Sequence, residues 1–364
     1  METMTNLKIE TKPINSEYFN LAYARVLIVD DLIPNLYILK ALLKPYQVQS
    51  EFATRGMQAV DMIRAGTPKY NAIFLDYIMP GISGLEAARM IREDIGTEYA
   101  KNIPIIAYAS ESSPDDMAML ISSGFQALLP KPVNTMLLDS ILRQWVRDDS
   151  LENNLYPVKN PKITSSSDTG APPCFLRIDG IDVPAALSRF KNDKNVYIRI
   201  LRSYVESTRP LVSKMTAHLA FENLGEYIPI IHGIKSSSYG IFANEIGALA
   251  ESLEHTARSG ALSEIRAKHF EFERKILTLL DNMDLTLSAI NSFTKKPEAY
   301  TPDPRLLEEL TEACRTLNMD KVYEIMFLLE SRTYKKGENV IRWLREQIKN
   351  MTLEAITTTR WSVE

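Results

Sequence analysis

The sequence predicts an α/β domain with five parallel strands, followed by an all-α region made of a helical bundle and a small C-terminal helical part. Two observations predict this order. Five short apolar runs alternate with five amphipathic segments as far as residue 147, and beyond a stretch rich in Pro and Ser the apolar residues recur at helical spacing. The 364 residues have a formal net charge of −4 and are 45% hydrophobic, which is typical of globular proteins and does not indicate nucleic-acid binding.

The α/β domain begins with an apolar run that ends in two acids, and four further short strands are predicted after it. Pro34 suits the first turn of the first helix, and Ser83 is a residue type that caps helices. Strand–helix–strand units form right-handed crossovers, which give a parallel sheet with helices on both faces. The predicted strands cover residues 25–31, 48–53, 72–76, 104–109 and 127–130, and the predicted helices cover residues 34–43, 56–66, 83–93, 113–123 and 134–147.

Charged residues stand at the carboxyl ends of three of these strands: Asp30, Asp31, Asp76 and Lys131. The carboxyl ends of parallel strands meet at one edge of the sheet, where binding sites of such sheets lie. Carboxylate oxygens are the ligands that Mg²⁺ prefers, and a further carboxylate beside the ion can attack phosphorus if nearby cations neutralise the transferring group. A simpler interpretation is a set of solvated acids at strand ends.

The all-α region begins after residues 150–174, which contain four prolines and a run of serines typical of a linker. A second break falls at residues 295–304. The helical spacing of apolar residues predicts helices over residues 182–191, 194–219, 223–239, 243–259, 261–293, 304–317, 319–331 and 337–357.

One of the four histidines has companions suited to phosphate chemistry. Lys235 and Ser236 follow His232 at spacings that place all three on one helical face. A neutral imidazole, with its ordinary pKa of about 6.5, can take a phosphoryl group, and an ammonium offsets the added charge. A partly exposed histidine on an amphipathic helix is the simpler interpretation. The remaining histidines are interpreted as surface or helix-end residues: His218, His255 and His269.

Residues 25–147 resemble the receiver domain of two-component response regulators, which has a flavodoxin-like, doubly wound (βα)5 fold. The resemblance implies that Asp76 is phosphorylated. It also implies that Asp30, Asp31, Asp76 and the backbone carbonyl of Ile78 hold Mg²⁺, and that Lys131 contacts a phosphoryl oxygen. The matching pieces are Val29-Asp30-Asp31, Leu75-Asp76, Met79-Pro80-Gly81, Gly84 and Lys131-Pro132.

Two positions depart from the receiver pattern. Ala109 stands where the family has Ser or Thr at the end of the fourth strand, and Leu128 stands where it has the switch aromatic residue. A hydrogen bond to a charged oxygen contributes roughly 1.5–3 kcal/mol, so the missing hydroxyl predicts a degenerate conformational switch. The alternative is that Ser110, the next residue, supplies the hydroxyl after a small backbone shift. Acceptance of phosphate at Asp76 does not depend on either position.

Residues 178–293 resemble a histidine phosphotransfer (HPt) domain, a helical bundle with one active histidine. The resemblance implies that His232 accepts the phosphoryl group with help from Lys235. The departures are Ser236 and Phe242, where glycine is common. The matching pieces are Ile178-Asp-Gly-Ile-Asp182, Ala186-Leu187-Ser-Arg-Phe190, Tyr197, Leu201, the His232 segment, Ala250-Glu-Ser-Leu253-Glu254 and Ala257-Arg-Ser-Gly260.

These patterns divide the chain into a lead-in (1–24), a receiver (25–149), a linker (150–174), an HPt domain (175–294) and a C-terminal helical extension (300–364). The arrangement resembles the C-terminal part of a hybrid sensor histidine kinase without the kinase core. Neither a Gly-rich ATP-binding segment nor a basic recognition helix is evident in the sequence.

The sequence therefore predicts a cytoplasmic phosphorelay protein that uses Mg²⁺ and is not an independent enzyme. The expected partners are a sensor histidine kinase and other receiver or HPt proteins, with no nucleic acid and no membrane. The alternative, favoured by Ala109 and Leu128, is a scaffold that binds and sequesters a kinase. A Mg²⁺-dependent phosphohydrolase is a weaker alternative, because haloacid-dehalogenase-type enzymes place a second Asp where Ile78 stands.

Overall fold

The computed structural model describes residues 19–110, 119–148, 150–151, 176–293, 298–316, 319–330, 332–349 and 353–359. The chain forms two compact units, residues 1–286 and residues 287–364, and the first unit holds both the α/β domain and the bundle. Most of the predicted lead-in, the first part of the predicted helix 113–123, nearly all of the linker and part of the second break lie outside the described residues.

The α/β domain has the five-stranded parallel sheet that the sequence predicts, in the order β2-β1-β3-β4-β5. Val29 pairs with Leu75, so the acids that follow these two residues leave neighbouring strands at the same level. Ser110 pairs with Lys131 at the same edge. The strands are β1 (Arg25–Val29), β2 (Gln49–Ala53), β3 (Ala72–Leu75), β4 (Ile105–Ser110) and β5 (Ala127–Lys131).

Helices cover both faces of this sheet, as expected for alternating strands and helices. Ser83 caps its helix by accepting a hydrogen bond from the Glu86 amide at 3.2 Å, which confirms the predicted cap. The short helix Glu98–Asn102 was not predicted, because five residues are too few to show an amphipathic period. The helices are α1 (Ile33–Leu43), α2 (Gly56–Ala65), α3 (Gly84–Glu93), α4 (Glu98–Asn102) and α5 (Thr135–Trp145).

The bundle consists of five helices whose bounds agree with the sequence prediction to within a few residues. Asp193 and Asn223 cap the second and third of these helices through their side chains. Three tyrosines, Tyr197, Tyr204 and Tyr227, are fully buried in its core. The helices are α6 (Val183–Arg189), α7 (Lys194–Ala220), α8 (Leu224–Gly240), α9 (Asn244–Ser259) and α10 (Leu262–Phe293).

The second unit is a small helical domain with its own apolar core around Leu310, Ile325 and Leu344. Where the sequence predicts one helix over residues 337–357, the described residues form two, Glu338–Lys349 and Leu353–Thr358. Two strands of two residues each pair in parallel and were not predicted, because such short strands leave no alternation to detect. The elements are β6 (Glu298–Ala299), α11 (Pro304–Arg315), α12 (Met319–Glu330), β7 (Thr333–Tyr334), α13 (Glu338–Lys349) and α14 (Leu353–Thr358).

Candidate functional site

Three carboxylates meet at the carboxyl edge of the sheet. Asp30 and Asp31 follow β1 and Asp76 follows β3, and one oxygen from each of them lies within 4.8 Å of the others. Three carboxylates at this spacing form a hard oxygen donor set of the kind that Mg²⁺ binds. The residues present therefore fit the metal that the receiver resemblance implies.

The Lys131 ammonium is the buried counter-charge of this acidic pocket. Its Nζ donates to Asp30 Oδ2 at 2.5 Å and to Asp76 Oδ2 at 2.6 Å. The ammonium also lies 4.4 Å from the centroid of the Tyr108 ring. Burial alone would lower the pKa of Lys131, but the two carboxylates outweigh it and raise the pKa well above its ordinary value.

The remaining oxygens of the pocket accept backbone and amide donors. Asp30 Oδ1 accepts from the Leu32 amide at 2.9 Å and from Asn35 Nδ2 at 3.0 Å, and Asp76 Oδ1 accepts from the Ile78 amide at 3.0 Å. Burial, together with repulsion from Asp76, raises the pKa of Asp30 to about 6 despite the ion pair with Lys131. Burial and the two neighbouring carboxylates also raise the pKa of Asp31 well above its ordinary value. A cation between these groups would relieve the repulsion.

Gly84 shapes the wall of the pocket, because α3 begins directly above the end of β3. A Cβ atom at this position would lie 2.0 Å from the carbonyl oxygen of Asp76 and 2.7 Å from the Cα of Tyr77. Both of these atoms belong to the backbone and cannot rotate away. The close approach of the loop that carries Asp76 therefore requires glycine here.

A second polar cluster surrounds His232 in the bundle. The buried carboxylate of Glu254, on α9, contacts His232 Nδ1 at 2.8 Å, Lys235 Nζ at 2.9 Å and a guanidinium nitrogen of Arg258 at 2.7 Å. Burial would raise the pKa of Glu254, but the contacts with His232, Lys235 and Arg258 hold it well below the ordinary value. Glu254 is therefore ionised at neutral pH.

This contact determines the tautomer of the neutral histidine. An ionised carboxylate only accepts hydrogen bonds, so Nδ1 of His232 must carry a proton and donate it to Glu254. The lone pair of the neutral ring then lies on Nε2. The arrangement presents Nε2 as the nucleophilic atom and holds the ring in one orientation.

The comparison with known proteins agrees with the acidic pocket. A family model described as "Response regulator receiver domain" matches residues 26–143. Residues 26–143 form a receiver domain. The matched range contains all three carboxylates of the pocket and Lys131.

Several relatives of this receiver are signalling proteins. The chain is 23% identical over 260 residues to the signal transduction histidine-protein kinase BarA of Escherichia coli, and the match covers 71% of this chain but 26% of BarA. It is 31% identical over 125 residues to the osmosensing histidine protein kinase SLN1 of Saccharomyces cerevisiae, of which it covers 10%. The chain thus spans a minor part of these kinases. It covers 75% of the two-component response regulator ARR17 of Arabidopsis thaliana, at 28% identity.

Solved structures similar to the receiver include one from Pseudomonas aeruginosa, the receiver domain of sensor histidine kinase PA1611 with a coordinated magnesium ion. It is 28% identical, covers 34% of this chain and 96% of its own chain, and has a TM-score of 0.30. The receiver domain of histidine kinase CKI1 from Arabidopsis thaliana, complexed with Mg²⁺, is 27% identical, covers 35% and 94%, and has a TM-score of 0.32. No helix among the described residues has both the length and the apolar character that crossing a bilayer requires.

The two positions that depart from the receiver pattern both face the core of the sheet. Ala109 is fully buried in the apolar cluster on one face of the sheet, and Leu128 is partly buried against the same cluster. Leu128 pairs with Ala107 and Ala109 pairs with Pro130, so both positions lie on the adjacent strands β4 and β5. The side chain of Ala109 offers no hydroxyl at its position in β4, as the sequence predicts.

The bundle site contains residues that the sequence predicts and one, Glu254, that it does not. Ser236 is buried, and its Oγ has no hydrogen-bond partner among the described residues. Lys235 contacts Glu254, so its ammonium is shared with that carboxylate. Glu254 was given no role, although an acid stands there on the same face as the buried Ala250 and Ala257. The sequence signal for Glu254 is that a charged residue stands at a core position of an amphipathic helix.

The interpretation of His269 as a surface or helix-end residue was wrong. His269 is buried among the bundle helices, where its Nδ1 lies 3.1 Å from the Tyr227 hydroxyl and its Nε2 lies 3.1 Å from Thr216 Oγ1. The same hydroxyl of Thr216 donates to Glu273 Oε1 at 2.7 Å. The companions of His269 come from other helices or from the next turn, so a search for neighbours at close sequence spacing does not find them.

Proposed function

We propose that this chain is a phosphorelay protein in which the receiver accepts a phosphoryl group on Asp76 and the bundle carries one on His232. The observation that supports the second site is the buried contact between His232 Nδ1 and Glu254 at 2.8 Å. In this proposal the bundle is an HPt domain. It exchanges phosphoryl groups with a receiver of the same chain or of another protein, and the chain is not an independent enzyme.

At the receiver, a carboxylate oxygen of Asp76 forms a bond to phosphorus while the bond between phosphorus and the donor's histidine nitrogen or acyl oxygen breaks. Lys131, already 2.6 Å from Asp76 Oδ2, contributes a positive charge beside the transferring group. Mg²⁺ would be held by Asp30, Asp31, Asp76 and the carbonyl of Ile78, and would neutralise phosphoryl charge when bound. Phosphoryl transfer needs little covalent help from the protein. Positioning of the reactants and electrostatic stabilisation therefore account for most of the rate enhancement.

At the bundle, Nε2 of His232 forms a bond to phosphorus while the acyl phosphate bond to the donor aspartate breaks and a carboxylate leaves. No proton has to move from Nε2, because Nδ1 holds the ring proton. The ring gains positive charge during the attack, and the carboxylate of Glu254 stabilises this charge directly. Ser236 Oγ, buried and without a partner among the described residues, is available to donate to a phosphoryl oxygen.

The similarity to BarA supports a phosphorelay role for more than the receiver. A match over 260 residues extends beyond residues 26–143, so it includes part of the chain outside the receiver. BarA and SLN1 are named as histidine kinases. We therefore propose a sensor histidine kinase, together with receiver or HPt proteins, as partners.

Phosphopeptide mapping after incubation with Mg²⁺ and acetyl phosphate tests the proposal. Wild type is compared with Asp76→Asn and His232→Gln. We expect an acyl phosphate at Asp76 that is absent from Asp76→Asn, and a phosphohistidine at His232 that is absent from His232→Gln. If neither residue is labelled by acetyl phosphate or by a phosphorylated partner, the proposal is wrong.

Ala109 and Leu128 favour a second candidate, a scaffold whose receiver binds a kinase without a conformational response. This candidate predicts that Asp76→Asn binds the partner kinase as tightly as wild type does, and that signalling survives the substitution. Loss of signalling in Asp76→Asn with kinase binding intact would exclude the scaffold. A pull-down of the partner kinase measures this binding. It uses the full chain, so that both domains are present.

A further inference from the structure

One face of α8 lies against the receiver, which contacts this helix through α1 and β5. A Cβ atom at Gly233 would come within 2.7 Å of Leu32 Cδ1, and a Cβ atom at Gly240 would come within 2.5 Å of Ile38 Cδ1. The two glycines are seven residues apart, so they form two notches on one face of α8. Two buried apolar side chains of the receiver fill these notches.

Ser236 belongs to this face of α8, three residues after the first notch and four residues before the second. It is buried, and its Oγ has no hydrogen-bond partner in the part of the chain that the structure describes. The two serines that follow it are paired. Ser237 Oγ donates to the Gly233 carbonyl at 3.0 Å, and Ser238 Oγ donates to the Ile234 carbonyl at 2.6 Å. Native proteins leave few buried donors unpaired, so we expect an acceptor for Ser236 Oγ that comes from outside the bundle.

The bundle borders the acidic pocket on two sides. On the first side, the residue that fills the first notch is Leu32, whose amide donates to Asp30 Oδ1 at 2.9 Å. On the second side, the Arg189 guanidinium at the end of α6 donates to the carbonyl of Val133, two residues after Lys131. Between these contacts, α8 itself meets β5, the strand that ends at Lys131. The helix face that carries the unpaired hydroxyl therefore lies against the edge of the sheet where the carboxylates meet.

A phosphoryl group on Asp76 would bring negative charge and three acceptor oxygens to this edge. The receiver supplies the Lys131 ammonium, which lies 2.6 Å from Asp76 Oδ2. On the neighbouring strand β4, Ala109 has no hydroxyl, and it pairs with Pro130, which has no amide hydrogen. Neither residue of this pair can donate to a phosphoryl oxygen through its side chain, so a donor from the bundle would find an oxygen to bind.

We propose that Ser236 binds the phosphoryl group on Asp76, so that phosphorylation of the receiver strengthens its contact with the bundle. This inference rests on the proposed function. The Ser236 hydroxyl donates to one phosphoryl oxygen and the Lys131 ammonium donates to another. No bond to phosphorus forms or breaks in this step. The bundle thereby supplies the hydroxyl that Ala109 does not.

Beryllium fluoride with Mg²⁺ tests this contact without phosphoryl transfer. It forms an adduct on an aspartate carboxylate, presents fluorine atoms as acceptors and leaves histidine unmodified, so it reports on Asp76 alone. Isothermal titration calorimetry on the full chain gives the dissociation constant. In Ser236→Ala we expect this constant to rise about tenfold or more, because a hydrogen bond to a charged group is lost. Asp76→Asn should not form the adduct.

Ser237→Ala is the matched control. The Ser237 hydroxyl is also buried on α8, but it already donates to the helix backbone, so we expect the affinity of wild type. Without beryllium fluoride, Ser236→Ala should be at least as stable as wild type to urea, because the substitution removes an unpaired donor. A serine that only supports the fold would give the opposite result, a less stable protein with an unchanged dissociation constant, and this result would overturn the inference.

A wedge in the interface shows whether the hydroxyl acts across it. Gly240→Leu places a side chain where Ile38 lies and separates the two surfaces. In this background we expect Ser236→Ala to cause no further loss of affinity, because the hydroxyl no longer reaches Asp76. Adding Ile38→Ala makes room for the leucine and should restore the tenfold effect of Ser236→Ala, which separates undocking from misfolding. An undiminished effect of Ser236→Ala in the Gly240→Leu protein would contradict a contact between the domains.

The outcomes separate this inference from the proposed function. If Asp76→Asn abolishes binding but Ser236→Ala matches wild type, the inference is wrong and Asp76 remains the phosphoacceptor. A tenfold loss in Ser110→Ala, with none in Ser236→Ala, would assign the hydroxyl to the receiver and also overturn the inference. If wild type shows no binding that depends on Asp76, the receiver part of the proposed function fails together with this inference.

Discussion

Glu254 accepts a hydrogen bond from Nδ1 of His232 at 2.8 Å, and both side chains are almost fully buried in the bundle. The pair fixes the proton of the neutral ring on Nδ1 and leaves Nε2 free for chemistry. In the proposed transfer the ring becomes positive when Nε2 attacks phosphorus, so the carboxylate would stabilise the product more than the starting histidine. The proposal thus makes Glu254 a positioning residue that acts through His232.

Replacing Glu254 by Gln tests this role. The amide oxygen can still accept the hydrogen bond, but the negative charge is lost. We expect about a fivefold slower labelling of His232, since a hydrogen bond to a charged group contributes about 1 kcal/mol more than a neutral one. Glu251→Gln is the control, because Glu251 lies on the same helix and contacts the exposed hydroxyl of Tyr239. Equal rates in Glu254→Gln and wild type would show that the charge has no part in the transfer.

Gly84→Ala should destabilise the receiver. The new methyl group would lie 2.0 Å from the carbonyl oxygen of Asp76, so the loop that carries Asp76 has to move. We expect a loss of about 1–3 kcal/mol or more in the free energy of unfolding, together with slower labelling of Asp76. Urea unfolding followed by circular dichroism measures the first effect. Gly225→Ala, at an open helical position, should leave both quantities near wild type, and a similar result for Gly84→Ala would contradict the packing argument.

Lys131→Met should leave Asp30 and Asp76 buried without their counter-charge. Breaking a buried pair in this way costs about 3–5 kcal/mol, so we expect a large fall in stability without metal. Mg²⁺ should restore more stability to Lys131→Met than it adds to wild type, because a bound cation replaces the missing charge. Lys101→Met removes only the exposed pair with Glu98 and should change stability by less than about 1 kcal/mol. If Mg²⁺ raises the free energy of unfolding by the same amount in Lys131→Met and wild type, this would argue against metal binding beside Lys131.

The sheet and the acidic pocket could be predicted from the sequence because their signals are local. β1 and β3 are largely apolar runs, and the acids follow them directly, so parallel topology alone brings Asp30 and Asp76 to one edge. The helices of the bundle were predictable for a similar reason, since an amphipathic period shows in each segment separately.

The sequence could not predict which faces meet. No pattern in the sequence pairs Leu32 and Ile38 with Gly233 and Gly240, because the partners lie some two hundred residues away. The same limit hid the contact of Glu254 with His232 and the surroundings of His269. Each of these contacts depends on how helices pack against one another. The spacing of apolar residues along a single helix does not determine that packing.

The buried His269 should make the stability of the bundle depend on pH. Burial lowers the pKa of His269, although Glu273 opposes this effect. The unfolded chain, in which a histidine has a pKa of about 6.5, therefore binds more protons than the folded chain does as the pH falls. The stability that the neutral ring provides is complete above about pH 6.5, the pKa in the unfolded chain. It is lost as the pH falls from there through the lowered pKa of the folded chain. The loss from Glu254, whose pKa is also lowered, begins only below about pH 4.3.

His269→Gln tests this prediction, because the amide of Gln can still reach Tyr227 and Thr216 but does not titrate. We expect the fall in the free energy of unfolding between pH 7.5 and pH 5.5 to be smaller in His269→Gln than in wild type by up to about 1.4 kcal/mol, the equivalent of one pKa unit. Urea midpoints at the two pH values give the comparison. Other titrating groups affect both proteins alike, so the difference between the two slopes isolates His269. If the free energy of unfolding falls equally with pH in both proteins, protonation of His269 does not destabilise the bundle.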